Sequence, residues 1–272
     1  MFVDSDDLVA PWCLEHRIPQ MEQHPDLAMC VFPVMLFQKT PGDMATLWNR
    51  LEGEDDLKRF LRSDPPWHTS SPLWRREDLQ KLGGFDEQIM YGDDADLHTR
   101  ALFASMSYRK QTELLPDVFI RRAENTRITN TLSEQLLDSR LVRLKRGAML
   151  LKQFGSKDQR QLWSGQYFVE AEFLLFNVPN SRHRQLDVLK AWIQACDPPF
   201  VQRLVAASYL GVSRLAKRSC YLGLRVARRL AMLILPAECF PRGGEFESMR
   251  LSDDQLSTLR TKIAATPVRR IH

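Results

Sequence analysis

The texture of the chain changes once, near residue 129, and that change limits the folds open to it. Up to about residue 128, short apolar runs alternate with turn signals, the pattern of strands and short helices. Val31-Phe32-Pro33-Val34-Met35-Leu36-Phe37 reads as one buried strand, with Pro33 placing it at an edge or a bulge. Thr40-Pro41-Gly42-Asp43 reads as a turn, residues 45–61 as a weak helix, and Ser63-Asp64-Pro65-Pro66 as its stop. Residues 76–82 predict a short helix ending at Gly83-Gly84, residues 94–105 a second helix, and residues 114–120 another strand.

Beyond that point only helical signals remain. Thr131-Leu132-Ser133-Glu134 is a capping-box pattern, and Leu132, Leu136, Leu137, Leu141, Leu144 and Leu151 follow at helical spacing up to Gly155. Further helices are expected over residues 158–178, 181–196 and 200–235, the last broken near Gly211, with prolines at 179, 198, 199 and 236 as stops. Ser252-Asp253-Asp254-Gln255 opens a final short one. The expectation is therefore a mixed α/β part, 1–128, followed by an all-α part, 129–272.

Composition excludes several classes. An apolar content of 44% with 26% charged residues is that of a globular protein with a sizeable core. The net charge of +4 and the lack of any recognised motif argue against a nucleic-acid partner. The five cysteines form no CxxC pair and are odd in number, so neither a disulfide framework nor a zinc site is indicated. Met1-Phe2-Val3 runs directly into acids, unlike a signal peptide, and no charge-free apolar run approaches the roughly 20 residues a membrane span needs. A cytoplasmic protein is expected, either free or peripheral on the inner face of the membrane.

Two acidic stretches carry the chemistry. In Phe2-Val3-Asp4-Ser5-Asp6-Asp7, apolar residues lead into acids, as at the C-terminal end of a buried strand, where α/β sheets bind ligands. Carboxylates there suit Mg²⁺ or Mn²⁺, which take oxygen ligands; they equally suit a solvated turn or a helix cap. The second stretch runs from Trp67-His68-Thr69-Ser70-Ser71 through Gly83-Gly84-Phe85-Asp86-Glu87 to Gly92-Asp93-Asp94-Ala95-Asp96-Leu97-His98-Thr99-Arg100. A carboxylate near a helix start, with its pKa raised by burial or by neighbouring acids, can serve as a general base. Crowded acids there can also simply cap the helix.

The two stretches together resemble glycosyltransferase family 2, whose members carry a GGFDE segment followed by a [GA]-[ED]-D-x-[DE]-L-x-x-R pattern. The resemblance covers residues 1 to about 128. It implies a partial GT-A, Rossmann-like sheet and inverting, metal-dependent transfer of a sugar. The donor would be a nucleotide-diphosphate sugar, and the acceptor a hydroxyl of a glycan or lipid-linked molecule. Carried over by position, Asp6 is the expected principal ligand of Mg²⁺ or Mn²⁺, and Asp4 its partner at the nucleotide or in the metal shell. For Asp7 two readings stay open, a further metal ligand or only a helix cap. Asp94 matches the catalytic base, and Asp93 stands where Glu is more usual.

Gly83 and Gly84 would let backbone approach donor or acceptor closely, or would only end a helix. Trp67 is a candidate sugar platform, with a core position as its plain alternative. Arg121 and Arg122 follow the expected strand where the family often places a basic residue or His near the diphosphate, although the His is absent here. His68 and His98 are expected to be structural or exposed. The strands that bind base and ribose in that family have no counterpart before Met1. This chain alone is therefore expected to bind donor poorly, and the alternative is a non-catalytic remnant acting as a binding or membrane-surface module.

In residues 200–235, Arg203, Arg214, Lys217, Arg218, Arg225, Arg228 and Arg229 fall within an arc of about 120° at roughly 100° per residue. This basic stripe reads either as the solvated outer face of a packed helix or as a helix lying on an anionic membrane surface.

Overall fold

A computed structural model describes residues 1–53, 55–122, 133–219, 221–240 and 249–266. The first part contains β1 (Leu8–Val9), α1 (Cys13–Glu22), β2 (Met29–Val31), β3 (Met35–Phe37), α2 (Asp56–Leu61), β4 (Pro72–Trp74), α3 (Arg76–Lys81), α4 (Asp93–Phe103), β5 (Tyr108–Lys110) and β6 (Val118–Arg121). Its strands form two three-stranded sheets, ordered β1-β6-β3 and β4-β2-β5. Each sheet has one antiparallel and one parallel pairing. β6 runs antiparallel to β1 (Leu8 opposite Phe119) and parallel to β3, while β2 runs antiparallel to β4 (Met29 opposite Trp74) and parallel to β5.

The single strand expected over residues 31–37 is two strands in two different sheets. The chain steps from one to the other at Phe32-Pro33-Val34, where Pro33 has no N–H to give a ladder. The expected helix over 45–61 survives only as α2, capped by the Asp55 side chain accepting from the Lys58 N–H. Its first residues are taken by a distant segment: the Leu47 N–H donates to Met249 O, and the Leu251 N–H donates to Ala45 O. α1 has no counterpart among the expected elements, and it contains Pro19.

The second part is α-helical, as its texture implies. α5 (Glu134–Phe154) starts at Ser133, whose hydroxyl accepts from the Leu136 N–H, and ends at Gly155. Of the expected capping pattern, Thr131 and Leu132 lie outside the described residues. α6 (Lys157–Asn177) opens with a reciprocal Ser156–Gln159 capping box. α7 (Arg182–Cys196), α8 (Phe200–Ser219), α9 (Tyr221–Ala231) and α10 (Asp253–Ala265) follow. α5 and α6 approach closely at Gly147, where a Cβ would stand 2.1 Å from the Trp163 ring. The core of this part includes Leu144, Trp163, Tyr167, Phe168 and Trp192.

Two features depart from a simple division at residue 129. α8 runs unbroken through Gly211 to Ser219, α9 is described from Tyr221, and the two helices pack together so that the Gln202 amide donates to Ile234 O at 3.3 Å. α10 returns to the first sheet, where Leu256 and Leu259 share a core with Leu8, Met35, Phe37 and Phe119. Among the described residues, no helix is long and apolar enough to cross a membrane.

Candidate functional site

The loop Asp4-Ser5-Asp6-Asp7 closes as a turn, with the Asp7 N–H donating to Asp4 O at 3.1 Å. Asp4, Ser5 and Asp6 are exposed, Asp7 is buried, and the turn brings Asp4 and Asp7 together at its base. The two carboxylates of the expected metal pair, Asp4 and Asp6, therefore stand in a turn and not at the end of a strand. A turn, unlike an extended strand end, does not aim alternate carboxylates into one cavity. Asp4 and Asp7, not Asp4 and Asp6, stand with His68, and one ligand atom from each of the three lies within 4.8 Å of the others. Asp7 is buried, and its Oδ1 accepts from the Arg121 N–H at 3.0 Å. His68 is also buried. Its Nδ1 is engaged by the hydroxyl and N–H of Ser70, which presents Nε2 to Asp4 Oδ2 at 3.7 Å.

Asp4 also faces the second acidic stretch. Asp4, His68, Asp93 and Asp94 line one cavity of about 840 Å³, within the size range of small-molecule sites. Asp93 and Asp94 occupy the first turn of α4, entered through Gly92 in the left-handed region (φ 70°). A Cβ at Gly92 would stand 3.1 Å from Arg143 Cδ, so glycine serves both the turn and the contact. Burial and the neighbouring carboxylates of Asp93 and Asp4 push the Asp94 pKa up to about 6, partly offset by the Ala95 N–H and by Arg143. Asp4 is also raised, by burial first and then by Asp6 and Asp93.

The remaining motif residues hold this geometry. Arg100 pairs with Asp96 at 2.8 Å and donates to Leu82 O and Gly84 O at 2.8 and 2.6 Å, clamping the end of α3 to α4. Gly83 and Gly84 both have positive φ (87° and 64°) and end α3, and neither lines the cavity. Phe85, immediately after them, does line it and packs edge-on against Phe2 at 4.7 Å.

Three further candidates, Trp67, Arg121 and Arg122, stand apart from this cavity. Trp67 is 1% exposed and packs among Phe60, His98 and Tyr108, so it is core and not a platform; Trp48 is the tryptophan that lines the cavity. Arg121 lies over the Phe37 ring and donates from Nε to Asp6 O, so it braces the outside of the acidic turn. Arg122 is exposed, and its N–H donates to Phe37 O; neither arginine reaches the cavity. The residues expected next, Ala123-Glu124-Asn125, lie outside the described residues.

The cavity's cations come instead from the helical part. Arg140 is buried, bonded through Nε to both Glu170 oxygens at 3.0 and 2.8 Å, and held between the Tyr91 and Phe173 rings. Arg143 donates to Gln166 Oε1 at 2.9 Å, and its buried Nε has no hydrogen-bond partner among the described residues. Burial holds the Arg143 pKa below its ordinary value. The sequence does carry a signal for this wall: arginines three positions apart on a Leu-rich helix, and Glu170 within the apolar run Tyr167–Phe176. The sequence matches no protein-family profile and no curated protein.

Proposed function

We propose that this chain carries the metal-binding and general-base part of an inverting glycosyltransferase site of the family 2 kind, on a partial GT-A sheet. The observation that supports it most is convergence. Asp4 and Asp93-Asp94, far apart in sequence and matched separately to that family's motifs, line one cavity. In this reading an acceptor hydroxyl hydrogen-bonds to Asp94. Asp94 takes the proton as the oxygen attacks the anomeric carbon from the side opposite the departing diphosphate. With its pKa near 6, Asp94 is ionised at neutral pH and more basic than an ordinary carboxylate.

The chemistry of the donors Asp4, Asp7 and His68 fits a divalent cation. Their imidazole weighs against Mg²⁺ and leaves Mn²⁺ the better of the two expected ions. When bound, that cation supplies positive charge against the departing diphosphate. Arg143 offers N–H donors to an anionic or hydroxyl group of donor or acceptor, while the Arg140–Glu170 pair holds the wall on which it stands.

Titrating the full chain with Mn²⁺ and a panel of nucleotide-diphosphate sugars tests the reading, by calorimetry and by nucleoside-diphosphate release. Weak, Mn²⁺-dependent binding is expected. Asp4→Asn should abolish that binding, whereas Asp94→Asn should preserve it and stop release. Failure of every nucleotide sugar to bind in the presence of Mn²⁺ would sink the proposal.

A further inference from the structure

The basic stripe of residues 200–235 leaves two readings, a packed helix with a solvated charged face and a helix on an anionic membrane surface, and the hairpin of α8 and α9 also turns apolar side chains outward. Phe200, Leu204 and Leu215 of α8 are 75%, 58% and 70% exposed, and Leu222 and Leu230 of α9 are 65% and 60% exposed, with Leu233 just beyond at 80%. On α8 this face is one stripe, while Ala206, Tyr209 and Leu210 on the other side are buried. Large apolar side chains this exposed on two helices packed against each other mark a contact with something else.

Charge indicates what covers it. Residues 200–235 contain no Asp or Glu and seven Lys and Arg. Arg203 and Arg214 sit at the border of the α8 stripe, tied to Asp197 and Gln185, and Arg225 and Arg229 are exposed beside the α9 stripe. An apolar face rimmed by arginines, without a counter-charge on its own helices, complements anionic lipid headgroups over an acyl interior. No described helix is long and apolar enough to cross a bilayer, so an in-plane orientation is the one that remains for these helices.

We propose that the α8–α9 hairpin lies in the surface of an anionic membrane, with its leucine face among the acyl chains and Arg225 and Arg229 at the phosphates. The hairpin is fixed to α6: the Tyr209 hydroxyl donates to Glu172, and Arg228 lies 3.9 Å from the same carboxylate. α6 also sends Gln166, Val169 and Glu170 to the cavity wall, so membrane docking holds the cavity in a set relation to the lipid surface. The inference stands on the hairpin alone and is independent of the chemistry assigned to the cavity.

The test is co-sedimentation of the full chain with phosphatidylcholine vesicles, with and without phosphatidylglycerol. Partition is expected to rise roughly tenfold with the anionic lipid and to fall with salt. Leu204→Glu, Leu215→Glu and Leu230→Glu combined should abolish partition while leaving circular dichroism and melting unchanged, since these side chains are already exposed. Arg225→Gln with Arg229→Gln should weaken partition roughly tenfold and flatten its salt dependence. Equal partition to both vesicle types, no partition to either, or wild-type partition by the triple variant would each overturn the proposal. So would absence of partition together with a dimer, seen by light scattering, that the triple variant abolishes, because a second copy would then cover the face.

Discussion

Ionising Asp94 is unfavourable in the folded chain, since burial and two neighbouring acids act against the charge. A carboxyl raised from 3.8 to about 6 contributes stability that is fully present below 3.8 and is lost as pH rises through 6. Asp94→Asn removes the ionisation. It is expected to raise stability at pH 8 by about 1–3 kcal/mol and to leave it nearly unchanged at pH 4. Thermal melts of both proteins at the two pH values check this; an equal offset at both would show that burial and repulsion do not act on Asp94 as described. His98 has the opposite sign. It is buried among Trp67, Trp74 and Phe60, with its pKa depressed to about 3, so its contribution is present above 6.5 and lost as pH falls toward 3. The family resemblance, not the spacing of acids alone, pointed to Asp4, Asp93 and Asp94, and these three line one cavity. The sequence did not separate Asp6 from Asp7, because which carboxylate points inward depends on the hydrogen bond that closes the turn. Nor did it separate Trp67 from Trp48, since both flank turns and only packing decides which ring is covered.

Elements followed the sequence where their determinants are local. The caps at Ser133, Ser156 and Ser252, and the Gly83-Gly84 end of α3, lie within a few residues of where the pattern puts them. They diverged where a distant group decides. α1 forms despite Pro19, and the buried Arg17 fastens it: the guanidinium pairs with Asp117 through Nε at 3.0 Å to both oxygens and donates to Ser70 O and Ser71 O at 2.8 and 3.1 Å. One side chain thereby joins α1, the entry to β6 and the loop that presents His68. Arg17→Met leaves Asp117 buried without its partner and is expected to cost about 3–5 kcal/mol. Adding Asp117→Leu removes the stranded charge and should recover a substantial part of that loss. Urea unfolding of the single and double variants measures both. A double variant as unstable as the single would mean that the Ser70 and Ser71 contacts, not the ion pair, carry the effect.

The boundary near residue 129 is sound as a change of texture, but the two parts do not pack as separate bodies. α5 and α6 supply one wall of the cavity whose other wall carries Asp4 and Asp94, and α10 crosses back to complete the core of the first sheet. Composition and periodicity cannot reveal this, because an amphipathic helix has the same pattern whichever surface it covers. The consequence is testable by truncation. Removing residues 249–272 takes away Leu251, Leu256 and Leu259 and uncovers Leu8, Met35 and Phe119. At about 1.5–3 kcal/mol for each large side chain taken from the core, the loss is comparable to the whole stability of a typical domain. The hydrogen bonds that join Ala45–Leu47 to this segment, from the Leu47 N–H to Met249 O and from the Leu251 N–H to Ala45 O, are lost with it. The truncated chain is expected to be insoluble, or to be cleaved by protease first within residues 1–50, while α5–α9 remain protected by a core of their own. A truncated chain that melts cooperatively at the wild-type temperature would show that the first sheet folds without α10, and that the C-terminal helix is an addition to the fold and not part of it.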